Sequence, residues 1–174
     1  MFNTLSLRHG YAAGFLSCVG LMAAAFYFEY VMYLDPCPLC MVQRIATVLT
    51  GIGFLMAFFL HPKTGQQVGW GLRTALLFTL AACLFGLWAA DHHIWLQGLP
   101  PEDVPACAPS FEYLVQTLPL TELLSIMFQG DGNCAEVGWS LWGLSMPAWL
   151  RLWFVGFTAA TIFALFKTRP IKQD

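Results

Sequence analysis

Residues 36–60 read PCPLCMVQRIATVLTGIGFLMAFFL, a head with two thiols followed by an apolar body. From Ile45 to Leu60 there is no charge, and a helix needs about 20 residues to cross the hydrocarbon core of a bilayer. This run therefore borrows its flank, Met41 to Arg44, because arginine snorkels toward headgroups. Working outward, three more apolar segments stand in the chain. Tyr11 to Phe28 and Thr74 to Ala90 carry no charge, and Ala148 to Phe166 carries only Arg151, most simply a phosphate anchor. With 58% hydrophobic and 10% charged residues in 174, the chain is too apolar for a soluble domain of this size. The expected fold is an all-α membrane protein, a four transmembrane helix bundle in a single domain, 1–174, with spans about 11–30, 41–60, 70–90 and 148–166.

Charge sets the orientation. Arg8, Lys63, Arg73, Lys167, Arg169 and Lys172 fall at the N-terminus, the 61–73 turn and the tail. Glu29, Asp35, Asp91, Glu102, Asp103, Glu112, Glu122, Asp131 and Glu136 fall in the other two connections. The positive-inside rule then puts both termini in the cytoplasm and the loops of about 31–40 and 91–147 outside. Arg8 and the apolar run after it have some features of a signal peptide, but apolar character continues unbroken through Phe28, so the segment is expected to stay as a helix. Within the long loop, Leu120, Leu123, Leu124 and Met127 recur at helical spacing after Pro119, which predicts a short amphipathic interfacial helix over 118–128.

The thiols carry the chemistry. A Cys-x-x-Cys pair closes a small disulfide that opens and closes easily, so outside metal sites its usual use is thiol-disulfide exchange. With Asp35-Pro36 and Pro38 discouraging helix before it, Cys40 is expected to begin the second helix, near the positive end of its dipole, with Arg44 at i+4 on the same face. Both favour a thiolate at Cys40. An arginine at the outer end of an apolar helix needs a local anion or polar ligand, which that thiolate and the oxygen of a bound quinone could supply. Two thiols that generate disulfides load two electrons per turnover, and a lipid-soluble acceptor is the simplest sink for a chain with almost no soluble part.

The remaining cysteines divide by depth. Cys18 and Cys83, in mid-span, read as small buried hydrophobes. Cys107 and Cys134 face outward, and a bond between them would close a ring of about 28 residues worth roughly 3–4 kcal/mol, so a purely structural disulfide accounts for them as well. Zinc is disfavoured, since ribbons use two close pairs and these two cysteines are far apart in sequence. A non-catalytic four-span protein with stapled loops would explain Cys107 and Cys134 but leaves Cys37, Cys40 and Arg44 without a role. His92 and His93, beside Trp88 and Trp95, read as interfacial belt residues unless the fold brings them to the thiols.

The chain resembles the DsbB family, disulfide bond formation protein B, along nearly its whole length. The resemblance rests on Asp35-Pro36-Cys37-Pro38-Leu39-Cys40 with Arg44, on His93-Ile94-Trp95-Leu96-Gln97, on Cys107, and on Gly132-Asn133-Cys134-Ala135-Glu136 followed by Trp142-Gly143-Leu144-Ser145-Met146-Pro147-Ala148-Trp149. It implies a thiol:quinone oxidoreductase of the bacterial inner membrane, its site facing the periplasm, and such a relay is established for that compartment. By the resemblance, Cys107 forms the mixed disulfide with a periplasmic DsbA-like thioredoxin-fold partner, and Cys134 is its resolving mate. Cys37 then exchanges with the loop pair, and Cys40 passes electrons to the quinone, ubiquinone or menaquinone, with Arg44 and His93 near its head. His92 departs from the basic residue expected in many relatives. A related four-helix quinone reductase is the alternative, and neither a metal nor nucleic acid is expected.

Overall fold

The computed structural model describes residues 4–62, 69–109 and 111–168, with side chains from residue 7 onward. Residues 63–68 of the expected 61–73 turn, with Lys63, and the tail charges Arg169 and Lys172 lie outside those residues. Three long helices come first, α1 (Thr4–Tyr30), α2 (Pro38–Leu60) and α3 (Trp70–Gln97). The outer connection then holds α4 (Phe111–Thr117), α5 (Leu120–Gln129), α6 (Gly132–Ala135) and two short strands, β1 (Ser140–Leu141) and β2 (Leu144–Ser145). Helix α7 (Met146–Lys167) closes the bundle. Among the described residues, α1 from Leu7, α2, α3 and α7 are long and apolar enough to cross a membrane, so this is a multi-pass membrane protein.

Helix α2 packs on α1 and α3, and α3 packs on α7. Their shared core holds Tyr11, Cys18, Phe54, Leu76, Cys83, Phe154 and Phe157. Small residues let the backbones approach, as lipid-embedded helices require. A Cβ on Gly86 would fall 2.3 Å from the Phe154 ring, and one on Gly53 would fall 2.3 Å from Thr79 Oγ1. Gly51, against Cys18, and Gly53, against Thr79, both sit at close helix contacts. Cys18 and Cys83 are buried here, Cys18 against Gly51 and Cys83 beside Thr50. Leu16, Val19, Phe59, Leu152 and Phe163 point outward, where apolar side chains meet lipid tails.

Three local features differ from the reading of the sequence. Helix α2 begins at Pro38, not Cys40, because proline is tolerated in the first turn, where its missing N–H would have no partner. Cys37 is the N-cap, and its sulfur accepts a bond from the Cys40 N–H at 3.4 Å. Helix α3 runs on through Asp91-His92-His93 to Gln97, one to two turns beyond the expected end near 90, and stops at Gly98. The loop helix expected over 118–128 is α5, which starts just after Pro119, and a further helix that the sequence reading did not expect, α4, precedes it. Leu123 and Met127 of α5 are buried in one cluster with Val42 and Ala89, while Leu120, Leu124 and Phe128 stay exposed.

Two smaller devices tie the connection to the helices. Strands β1 and β2 pair antiparallel, with Trp142 (φ 53°) and Gly143 (φ 77°) as the two-residue turn, a left-handed pair that matches hairpin twist. Ser145 donates to Gln97 Oε1 at 2.7 Å, joining the start of α7 to the end of α3. Arg151 pairs with Asp91 at 2.8 Å on the exposed surface.

Candidate functional site

The site stands where the α1–α2 turn, the end of α3 and α6 meet. Cys37 Sγ lies 3.0 Å from Cys40 Sγ, so the Cys-x-x-Cys pair is already at closing distance across the helix N-terminus. His93 enters from α3, its Nε2 3.8 Å from Cys37 Sγ. Cys134 enters from α6, and its sulfur, Cys37 Sγ and a His93 ring nitrogen all lie within 4.8 Å of one another. Cys37, His93 and Cys134 are buried, and Cys134 is 0% exposed. The histidine reading is thereby decided for His93: the extension of α3 brings it to the thiols.

The polar neighbours explain why these side chains hold their places. Gln43, buried one turn below Cys40, reaches the Ala89 carbonyl and His93 Nδ1, each at 3.4 Å. With the Gln43 amide donating, Nδ1 accepts and the neutral ring carries its proton on Nε2, toward Cys37. The hydrogen-bonded sulfur of Cys134, then that of Cys40, together with burial, push the Cys37 thiol well above its ordinary range. Reduced Cys37 therefore keeps its proton at neutral pH unless a neighbouring sulfur changes.

Asp131 organises the loop side. This buried carboxylate caps α6 by accepting from the Cys134 N–H at 3.3 Å, and it accepts from Ala108 N–H at 3.0 Å and from Asn133 Nδ2 at 2.8 Å. Asn133 Nδ2 also donates to the Ala108 carbonyl at 2.9 Å. The segment that carries Cys107 is thus fastened to the helix that carries Cys134. Gly132 permits the crossing, since a Cβ there would lie 2.6 Å from the Pro105 carbonyl oxygen and 2.8 Å from Cys107 Sγ. Cys107 itself is exposed. The structure therefore joins Cys134 to Cys37 and leaves Cys107 at the surface.

Arg44 has an anion already. Its Nη1 is bonded to Glu29 Oε2, its Nη2 donates to the Ala25 carbonyl at 3.3 Å, and its guanidinium lies 5.6 Å from the centre of the Phe26 ring. Glu29 was counted among the outer loop charges, but it belongs to the last turn of α1. His92 has a packing role: it stacks between Trp88 and Trp95 at 5.7 and 5.5 Å, and its Nε2 meets the Gln129 carbonyl at 3.0 Å.

A cavity of about 800 Å³ opens beside the thiols. Cys37, Cys40, Arg44, Gln43 and His93 form its polar wall, and Leu21, Met22, Phe28, Met146, Leu150 and Trp153 are among its apolar residues. An apolar pocket with a few convergent polar groups suits a flat, hydrophobic ring that carries oxygens at its edge. The sulfurs of Cys37 and Cys40 and the Arg44 guanidinium stand on the same wall.

Sequence reasoning missed Glu29, Gln43, Asp131 and Gly132. Asp131 before Gly132-Asn133-Cys134 has the form of an N-cap and was legible as one. The other three acquire their roles only from residues 15 to 50 positions away, or from a backbone crossing, and leave no local signal.

The chain is similar to known proteins over most of its length. Residues 7–164 match the family described as "Disulfide bond formation protein DsbB". The chain is 46% identical over 165 residues to Disulfide bond formation protein B of Hahella chejuensis, covering 92% of this chain and 94% of that one. It is 37% identical over 164 residues to the protein of that name in Nitrosococcus oceani, covering 94% of each. To Disulfide bond formation protein B 1 of Pseudomonas aeruginosa it is 37% identical over 160 residues, 90% of this chain and 93% of that one. A match of this extent, over a fold with four membrane-spanning helices and a buried cluster of thiols, means that the chain belongs to the DsbB family.

Proposed function

We propose that the protein is a disulfide-forming oxidoreductase that oxidises a periplasmic DsbA-like dithiol partner and passes the electrons to a membrane quinone. The observation that carries this reading is the meeting of Cys134 with Cys37 beside His93, within 4.8 Å. A structural staple between Cys107 and Cys134 has no need to aim one of its sulfurs at a second thiol pair. An exchange relay needs that contact.

The steps follow from thiolate attack through mixed disulfides. A partner thiolate attacks Cys107 of the Cys107–Cys134 bond and releases Cys134, which attacks Cys37 of the Cys37–Cys40 bond and releases Cys40. The second partner thiol frees Cys107 and leaves the partner oxidised. Cys107 then recovers Cys134 from Cys37, and two electrons and two protons rest on Cys37 and Cys40. Each exchange breaks one disulfide and forms one. The exposed Cys107 suits attack by a protein, and the buried Cys134–Cys37 contact keeps the inner exchange away from water.

The quinone, when bound, supplies an acceptor for those two electrons and two protons. Cys40 lines the cavity with Arg44, so the sulfur that loses electrons faces the pocket that would hold the ring. Arg44, fixed by Glu29 and the Ala25 carbonyl, offers its remaining N–H groups to a ring oxygen, and His93 Nε2 can hold or release a proton beside Cys37. The charge asymmetry supports a site on the outer, periplasmic face with both termini in the cytoplasm. Purified protein given a reduced DsbA-like partner and a soluble quinone should form one partner disulfide per quinone reduced. Quinone reduction without partner oxidation, or neither, would reject the reading.

A further inference from the structure

The residues that carry the exchange chemistry also form, in the reduced protein, a set of metal-ligating groups. Cys37 Sγ, Cys134 Sγ and a His93 nitrogen are mutually within 4.8 Å, and Cys40 Sγ is 3.0 Å from Cys37 Sγ. Two thiols and one imidazole are thus gathered as three donors of a tetrahedral zinc site, in which a Zn–S distance of about 2.3 Å separates ligand atoms by about 3.8 Å, and Cys40, next to Cys37, is the nearest thiol to supply the fourth. Cys37 Sγ and His93 Nε2 already stand 3.8 Å apart. The Cys37–Cys40 separation has to open by less than about 1 Å to fit that geometry. Because the four donors come from α2 with its N-cap, from α3 and from α6, the cage is closed by tertiary structure rather than by one loop.

We propose that the reduced protein binds one thiophilic divalent cation through Cys37, Cys40, Cys134 and His93. The surroundings suit it. Gln43 touches His93 Nδ1 at 3.4 Å; turning its amide by half a revolution gives up its bond to the Ala89 carbonyl and lets Oε1 accept from Nδ1–H, which frees Nε2 for the cation. Three thiolates around a dication leave one net negative charge on the cavity wall that also carries Arg44, whose charge is shared with Glu29. That cavity, lined by Cys37, Cys40 and His93, gives the ion its entry. Binding sends thiol protons to solvent and moves no electrons. The chelate withdraws all three thiols from exchange, so the cation reversibly inhibits the reduced form and finds no site once Cys37 and Cys40 are joined.

The test uses the full chain in detergent, reduced with a non-chelating phosphine and titrated with Cd²⁺ while sulfur-to-cadmium absorption is recorded. One equivalent should saturate the band, and the oxidised protein should give none. Cys107→Ser should keep the band. Cys134→Ser and His93→Ala should each weaken binding by more than about tenfold, since even outer-shell partners of a metal are worth about 10–100-fold. X-ray absorption of the Zn²⁺ form of the unaltered chain should count three sulfurs and one nitrogen, a result that does not depend on how the variants fold. A count of two sulfurs, a band indifferent to Cys134→Ser, or a band lost in Cys107→Ser overturns the proposal. Thiol oxidation assayed with a chelator present tests the exchange reading separately, so either can fail alone.

Discussion

Cys37 and Cys40 stand on the first turn of a long packed helix, 3.0 Å apart, whereas Cys107 and Cys134 stand on separate segments, one exposed and one fully buried. The first pair is a unit held by helix geometry, with the Cys40 N–H on the Cys37 sulfur. The second pair is held by one buried carboxylate, Asp131, that reaches both segments. The difference teaches that the site is better divided by contact than by sequence: Cys134 belongs spatially with Cys37, and Cys107 is the surface outpost. A rigid inner pair suits repeated closure, and an outer pair joined through side-chain bonds suits exchange with another protein.

The comparison can be broken most severely at the inner contact. Cys37→Ser and Cys134→Ser should each lower partner oxidation by more than about a hundredfold, because a relay stops when any sulfur in it is missing. Residual turnover near the unaltered rate in either variant, measured with reduced partner and quinone, would detach that cysteine from the path. Next comes the fastening of the outer pair. Asp131→Asn keeps the shape but puts an amide N–H where N–H donors converge, leaving buried groups unpaired at about 1–3 kcal/mol, or roughly 5- to 150-fold in the fraction that holds the geometry. Partner oxidation should fall within that range, and alkylation of reduced Cys134 should accelerate. A Cys134 as protected as before would mean that Asp131 does not hold the two segments together.

Smaller effects are expected on the inner wall. Arg44→Lys should raise the apparent quinone KM by about three- to tenfold with little change in partner KM, because a point charge cannot keep Glu29, the Ala25 carbonyl and a third acceptor as a planar fork does. A change in partner KM alone would move Arg44 out of the quinone pocket. The smallest effect belongs to the mid-bundle thiols. Cys18→Ala with Cys83→Ala should leave turnover within about threefold while lowering thermal stability by a few degrees, the signature of lost packing. A folded but inactive double variant would show that burial in the core is not their whole role.

The fold was legible where hydropathy speaks for itself. Apolar runs, three of them charge-free and the fourth carrying only Arg151, announced all four long helices, and the Cys-x-x-Cys spacing announced the inner pair. The end of α3 was not legible, because Asp91-His92-His93 lies beyond the apolar run and a polar helix end looks like loop to a hydropathy reading. Yet Gly98 was there as a stop signal. Pro38 misled in the other direction, since a proline before a helix and a proline in its first turn have the same sequence. The site followed the same division. Its sulfurs could be named from spacing and family resemblance, but Glu29 on Arg44 and Gln43 on His93 are pairings between helices, and no period in the chain records them.

The central claim is that electrons pass between the two cysteine pairs through the Cys134–Cys37 contact. The most direct measurement removes the competing partners, Cys40→Ser and Cys107→Ser together, and oxidises the purified protein under mild conditions. A Cys37–Cys134 disulfide should form in most molecules and be found by mass spectrometry as a reducible link between the two peptides. Free Cys37 and Cys134 thiols after that oxidation, in a protein that keeps its fold, would contradict the account.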